Sequence, residues 1–305
     1  MPRHPINTVP SVWLAGCALL TALIPWSPVH AEKRIEERRA ADPRGTVEVS
    51  DVAGSIDIQG WDRPEVEVTG TTDEGVDRVE VGTTGSHTTV RVVLAHGIRP
   101  YHGGEVQLVV HVPAHSSVAA TVVSAALTVS GVLGDAKLQT VSGSVSGEVG
   151  GDLRVNGVSG PVRMTARAAR HTEIGTVSGD VALTGDGGEL EITTISGAAR
   201  VEAGTLSRVR LKTVSGSLSA RLALTADGQL DAESVSGTIG LAFPSPPAAD
   251  FDVQTLSGAI ASCFGPKPER RGYGPGTRLI FKEGAGLARV HVSTQSGSID
   301  LCARR

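Results

Sequence analysis

Glu191, Arg210, Asp231, Glu233 and Asp252 recur about one repeat apart along the chain. Clustered carboxylates beside a base are what cleavage of a sugar polymer needs, because one group must donate a proton and another activate the attacking atom. The same residues, stacked on successive strands, would instead form a surface ladder of opposite charges worth about 0.2–1 kcal/mol per pair. The ladder is the preferred reading. Few aromatic platforms for sugar rings are available, since Phe, Trp and Tyr make up only 3% of the sequence. No catalytic residue is assigned, and the chain is read as a non-enzyme.

Other reactive residue types are similarly placed. His96 and His102 flank Gly97–Tyr101, and His111 and His115 lie four apart. A metal needs three or four converging ligands, and a spacing of four has no helical meaning in a strand-rich stretch. The pairs Gly151-Asp152, Gly179-Asp180 and Gly185-Asp186 lack the dense nonapeptide period of calcium-binding rolls. Neither metal nor cofactor is expected.

Positioning these residues falls to a repeat. Val-Ser-Gly or a close variant recurs with its glycine at Gly143, Gly160, Gly179, Gly197, Gly216, Gly237, Gly258 and Gly297, in steps of 17, 19, 18, 19, 21, 21 and 39 residues. Val52-Ala53-Gly54 and Ser124-Ala125 read as earlier copies. Two positions after the motif stand Leu127, Val145, Val162, Val181, Ala199, Leu218, Ile239 and Ile260, which should form one buried column. Two positions before the glycine stand Val141, Val158, Val177, Ile195, Val214, Val235 and Leu256, so the strand period of 2 is expected to run through the motif. The preceding alternation, as in Leu190/Ile192 and Val209/Leu211, shifts phase at Thr-Val, which predicts a corner or bulge. The glycines suit a tight turn and close stacking of backbones, and the motif serines should form a column of hydroxyls.

Such units bury their apolar side only by stacking. The fold expected is all-β, a parallel β-solenoid with coils of 17 to 21 residues, with an antiparallel sandwich as the alternative. Residues 1–31 read as a signal peptide: Arg3, an apolar stretch Val12–Ile24, then Pro25, Pro28 and the small-site pair Val29/Ala31. Lipidation at Cys17 fits less well, because the apolar region mostly follows that cysteine. Residues 32–45 read as a charged, solvated leader, 46–117 as irregular β coils or a cap, and 118–305 as the repeat solenoid with an insertion near 265–276.

Removing Arg3 leaves 27 basic residues against 32 acidic, a net charge of −5, which offers nothing to nucleic acid. The processed chain has no stretch long enough for a transmembrane helix. Cys263 and Cys302 each lie five residues after a motif glycine. If the 39 residues between those glycines make one enlarged coil, the cysteines stack on neighbouring strands and can form a structural disulfide. Outward positions differ between the two sheets, and the charged one, with Arg208, Arg210 and Lys212, is the expected binding face for a polar partner.

Gly54-Ser55-Ile56-Asp57-Ile58-Gln59-Gly60-Trp61-Asp62, Val112-Pro113-Ala114, the serial Thr-Val-Ser-Gly and the ending Ser296-Gly297-Ser298-Ile299-Asp300-Leu301 resemble the bacterial putative-adhesin family of exported β-strand-repeat proteins, from about Thr46 to the end. The resemblance implies a β-solenoid at the cell envelope and transfers no catalytic residue. The expected function is that of a non-enzymatic exported binding scaffold in the periplasm or at the cell surface, with an envelope protein or polymer as partner. The alternatives are a polysaccharide-processing β-helix enzyme and a periplasmic stress-sensing module.

Overall fold

Alternating Val, Ile and Leu in runs of five to nine residues, broken by Ser-Gly, make strands that are half-buried, and the strands are parallel because each coil re-enters in the same direction. A computed structural model describes residues 33–95, 104–270 and 275–302. Among them lie only strands and turns, in eleven coils. The expected signal peptide, Cys17, His96 and His102 lie outside the described residues.

Each coil has a leading strand, a corner at the motif, a trailing strand and a return. In Val181–Ser196, Ala199–Ser215 and Leu218–Ser236 the return is itself part of one continuous strand. The leading strands stack into one parallel sheet and the trailing strands into another, with the core between them. The predicted column after the motif is buried throughout: Leu127, Val145, Val162, Val181, Ala199, Leu218 and Ile239 are at most 2% exposed and Ile260 is 9%. From Leu127 to Ile239 adjacent members are register partners, Ile299 stands between Ile239 and Ile260, and Ile56 and Leu108 extend the column beyond Leu127.

The period of 2 does not run through the motif, which corrects the reading of the residue before the serine. In the leading strand the last inward residue is the one three before the glycine, a threonine or serine except at Gly157, and Thr176, Thr194 and Thr213 are all buried. The next residue therefore faces outward, and Val141, Val158, Val177, Ile195, Val214, Val235 and Leu256 are 39–48% exposed. The buried hydroxyl explains the choice: Thr140 Oγ1 accepts the N–H of Gly143 at 2.9 Å, and Thr176 Oγ1 accepts that of Gly179 at 3.1 Å. A valine there would leave the corner amide unpartnered. In four later coils the hydroxyls of Thr194, Thr213, Ser234 and Thr294 are buried without such a bond.

The motif serines are exposed, and their amides rather than their hydroxyls tie the corners together. Ser142, Ser159, Ser178 and Ser196 each donate an N–H to the carbonyl of the apolar ridge residue one coil earlier, at 2.7–2.9 Å.

Both ends depart from sequential stacking. Near the N-terminus, Thr46–Asp51 pairs with His87–Leu94 on one edge and Ser117–Val122 on the other, so the first coil lies inside the second. The segment expected to be irregular thus holds two regular coils, and the antiparallel strands Glu65–Thr72 and Val76–Thr84 cover their outer side. Lys33–Ala40, read as a solvated leader, is a strand paired antiparallel with Glu65–Thr72. Its charged side chains are mostly exposed while its backbone is laddered, so charge alone does not mark an uncombined segment.

At the other end Ala288–Ser296 lies between the leading strands 229–236 and Ala249–Ser257, and Ile299–Leu301 between Ile239–Ala242 and Ile260–Ser262. The last coil in sequence is the last but one in space. Its outer place is taken by Thr277–Lys282, which pairs antiparallel with Ala249–Ser257. All four phenylalanines, Phe243, Phe251, Phe264 and Phe281, pack together there, with Phe251 and Phe281 stacked at 4.6 Å.

Candidate binding surface

Arg208, Arg210 and Lys212 alternate along one leading strand, so all three point outward from the same sheet face. Parallel register sets Arg208 between Glu189 and Gln229, Arg210 between Glu191 and Asp231, and Lys212 between Thr193 and Glu233. The side chains complete the ladder: Arg208 reaches Glu189 at 3.3 Å, Arg210 reaches Glu191 at 3.7 Å and Lys212 reaches Glu233 at 3.1 Å. The cations remain 42–56% exposed. The lattice continues through His171, 3.7 Å from Glu189, and Glu173, 2.8 Å from Arg154.

Of the recurring acidic and basic residues, Glu191, Arg210, Asp231 and Asp252 share one column, with His291 between the last two. Glu233 belongs to the neighbouring column with Lys212. His291 enters because the last coil is intercalated, which no local spacing reveals. The carboxylates are thus separated along a ladder by bases.

His111 and His115 are not brought together. His111 stacks on Trp61 at 4.8 Å and lies 3.8 Å from Glu67, whereas His115 is exposed in the turn after Pro113. Arg63 covers the Trp61 ring at 4.8 Å, and Arg38 pairs with the buried Glu67 at 2.5 Å. The indole is packed between neighbours rather than offered as a platform. Among the described residues no group of three or more His, Cys, Asp or Glu side chains is placed to hold a metal.

The glycine-linked aspartates stitch coils together. Asp152 Oδ1 accepts the amides of Arg170 at 2.9 Å and His171 at 3.1 Å, and Asp180 Oδ1 accepts that of Ala198 at 2.9 Å. Burial pushes the Asp152 carboxyl up, but the His171 and Arg170 amides and the Arg170 charge outweigh it and hold the group below its ordinary value. Cys263 and Cys302 are bonded, with Cα atoms 4.9 Å apart.

A second surface was not recognised in the sequence. Val123, Val141, Val158, Val177, Ile195, Val214, Val235 and Leu256 form a straight ridge along the corner, and they are eight of the eleven exposed large apolar side chains among the described residues. The signal was present in the buried threonine that precedes Val141, Val177, Ile195, Val214 and Leu256, because an inward residue there turns its neighbour outward.

No curated protein sequence matches the chain. Solved structures similar to it include a "putative lipid binding protein" from Parabacteroides distasonis, with a TM-score of 0.49 and 14% identity over 87% of this chain and 96% of that one. A "putative adhesin" from Bacteroides fragilis aligns with a TM-score of 0.39 and 8% identity, over 88% and 96%. A "putative cell adhesion protein" from Clostridium sporogenes aligns at 0.24 and 8%, over 89% and 100%. At these scores the three names describe those proteins alone. The family model described as Toastrack DUF4097 matches residues 46–302, which takes in every parallel coil above, and the chain belongs to that family.

Proposed function

We propose that this protein is a non-enzymatic, exported cell-envelope scaffold that offers the outward face of its leading sheet to an envelope polymer or protein. The carrying observation is the ion-pair lattice around Arg208, Arg210 and Lys212. Cross-strand pairing holds long side chains in fixed positions at a constant repeat, with their charges still open to solvent. A polar, repeating ligand can exchange partners with such a lattice while little further side-chain entropy is lost. The Cys263–Cys302 bond supports export, since structural disulfides persist in oxidising compartments.

The test is co-sedimentation of the exported protein with purified cell-wall sacculi and with acidic capsular polysaccharide. Binding to one of them is expected, lost when Arg208, Arg210 and Lys212 are changed together to Glu, with no release of new chain ends from the polymer. Turnover that disappears in Asp231→Asn or Arg210→Ala would replace the scaffold reading with an enzymatic one. Binding indifferent to the triple reversal would move the contact face elsewhere.

A further inference from the structure

The ridge before the motif serine has no role in the core or in the charged lattice. Its eight side chains are 39–48% exposed, an apolar area of roughly 500 Å² interrupted once, at Gln295, and near the upper end of what monomers show. Beside its C-terminal half runs a groove of about 550 Å³, bounded on the far side by Thr193, Lys212, Glu233 and Gln254 and on the near side by the ridge itself. A ridge parallel to a groove is self-complementary: a two-fold axis places each copy's ridge in the other's groove.

We propose that the occupant of this surface is a second copy of the same chain, docked ridge into groove along the corner. Three features select that partner. The ridge repeats at the strand spacing of about 4.8 Å, and only another such solenoid carries apolar knobs at the same period along the whole line. The flanks are almost uncharged: the serine column borders one side, and Lys212 and Glu233 on the other already neutralise each other at 3.1 Å. A membrane-docking stripe carries flanking Lys and Arg free for anionic headgroups, and here Lys212 and the next outward cation, Arg210, are already paired with Glu233 and Glu191. Third, the roughly 500 Å² of the ridge is the larger part of the roughly 800 Å² per partner that a standard interface covers. Gln295 breaks the ridge between Val235 and Leu256, a polar notch that fixes register between the two copies. Pairing at the corner covers Lys212 and Glu233 at the edge of the leading sheet and leaves the Arg208 and Arg210 columns of both copies open, so the dimer doubles that part of the proposed display surface without depending on it.

The test is sedimentation velocity of the exported, purified protein over a range from submicromolar to millimolar. A dimer is expected, with association weakened roughly hundredfold in V214E/V235E and less in V214S/V235S, at unchanged Tm in both. The serine pair guards against a glutamate variant that fails to fold. R208E/R210E, on the charged face, is expected to keep the dimer, so failure of the display reading and failure of this one are separable. A wild type that stays monomeric to millimolar concentration overturns the proposal, as does a dimer untouched by the ridge variants. Flotation with zwitterionic or anionic phospholipid vesicles that is lost in V214S/V235S also overturns it, and assigns the ridge to a lipid surface.

Discussion

Asp51 shows how one side chain can oppose the column it stands in. It is a register partner of Val122, at the position that later coils fill with Thr140, Thr176 or Thr194, and it is 5% exposed. Neither carboxylate oxygen makes a hydrogen bond of regular geometry. Burial pushes its pKa up to about 6, and the Val52 and Ala53 amides offset this only in part. A raised carboxyl pKa means that the folded state holds the proton more tightly than the unfolded chain. Stability from this group is therefore full below about pH 4 and falls as pH rises through about 6. Asp51→Asn is expected to be more stable than wild type at pH 7 by about 2–3 kcal/mol, with the difference vanishing near pH 4. Paired denaturant titrations at the two pH values measure it, and an equal difference at both would refute the charged-burial account. The motif glycines make a second residue-scale case. Positive φ occurs only at Gly54 and Gly197 among those of the repeat, so turn conformation is not the general reason for glycine. A Cβ at Gly160 would lie 1.8 Å from the carbonyl oxygen of Gly143, whereas at Gly240 the nearest atom is 3.8 Å away. Gly160→Ala should cost about 2–4 kcal/mol and Gly240→Ala under about 1 kcal/mol, read from urea midpoints. The sequence made the glycine column plain, but its cause is a neighbouring backbone that only the stacked coils reveal.

Among the elements, the coil after Ala242 leaves the stack and later returns. Phe243 to Ala248 lead to Ala249–Ser257, the antiparallel strand Thr277–Lys282 occupies the outer edge of that strand, and the returning segment takes the inner one. Occupation of the outer edge is the physical reason that strand order departs from chain order. Cys263 and Cys302 end the two trailing strands so juxtaposed, where the Cys263 N–H bonds Leu301 O at 2.9 Å and the Cys302 N–H bonds Leu241 O at 3.0 Å. The disulfide spans 39 residues of sequence and holds the inserted coil against the coil outside it. Cys302→Ser is expected to lower stability by about 2–4 kcal/mol and to leave one free thiol on titration of the denatured, unreduced protein from which residues 1–31, with Cys17, have been removed. An unreduced wild type with two free thiols would contradict the pairing. Strand identity, the buried column and the adjacency of the cysteines were legible because they follow from local period and register. The facing of the ridge valines was not, because two adjacent β-branched residues give no hint which one turns inward until the corner amide's partner is known. The charged residues were likewise legible as outward-facing, yet the intrusion of His291 into their column required the intercalation.

For the whole molecule, the two ends follow one rule: a coil is laid down, an antiparallel excursion intervenes, and the neighbouring coil in sequence lands on the side that remains open. At the N-terminal end the second coil lands outside the first, and at the C-terminal end the last coil lands inside its predecessor. Both arrangements cover the parallel edges with antiparallel strands, which blunts the open ladder that a solenoid would otherwise present to other chains. The C-terminal case has a competitor that repeat sequences make close in energy. The motif of Gly258 matches that of Gly237, so Ala249–Ser257 has the chemistry to stack directly on the strand 229–236, with the last coil added outside. The cysteines would be adjacent in either order, so the disulfide does not discriminate between them. Outward positions do: Glu233, Ser293 and Gln254 are successive register partners in the intercalated order. Glu233→Cys with Ser293→Cys should cross-link, because neighbouring strands bring Cα atoms to about 5 Å, within disulfide range. Glu233→Cys with Gln254→Cys should not, because two strand spacings separate them by about 10 Å. Mass spectrometry of unreduced digests reads both pairs against the native bridge. A bridge in the second pair and none in the first would establish sequential stacking, and would return His291 to the outer edge of the charged column.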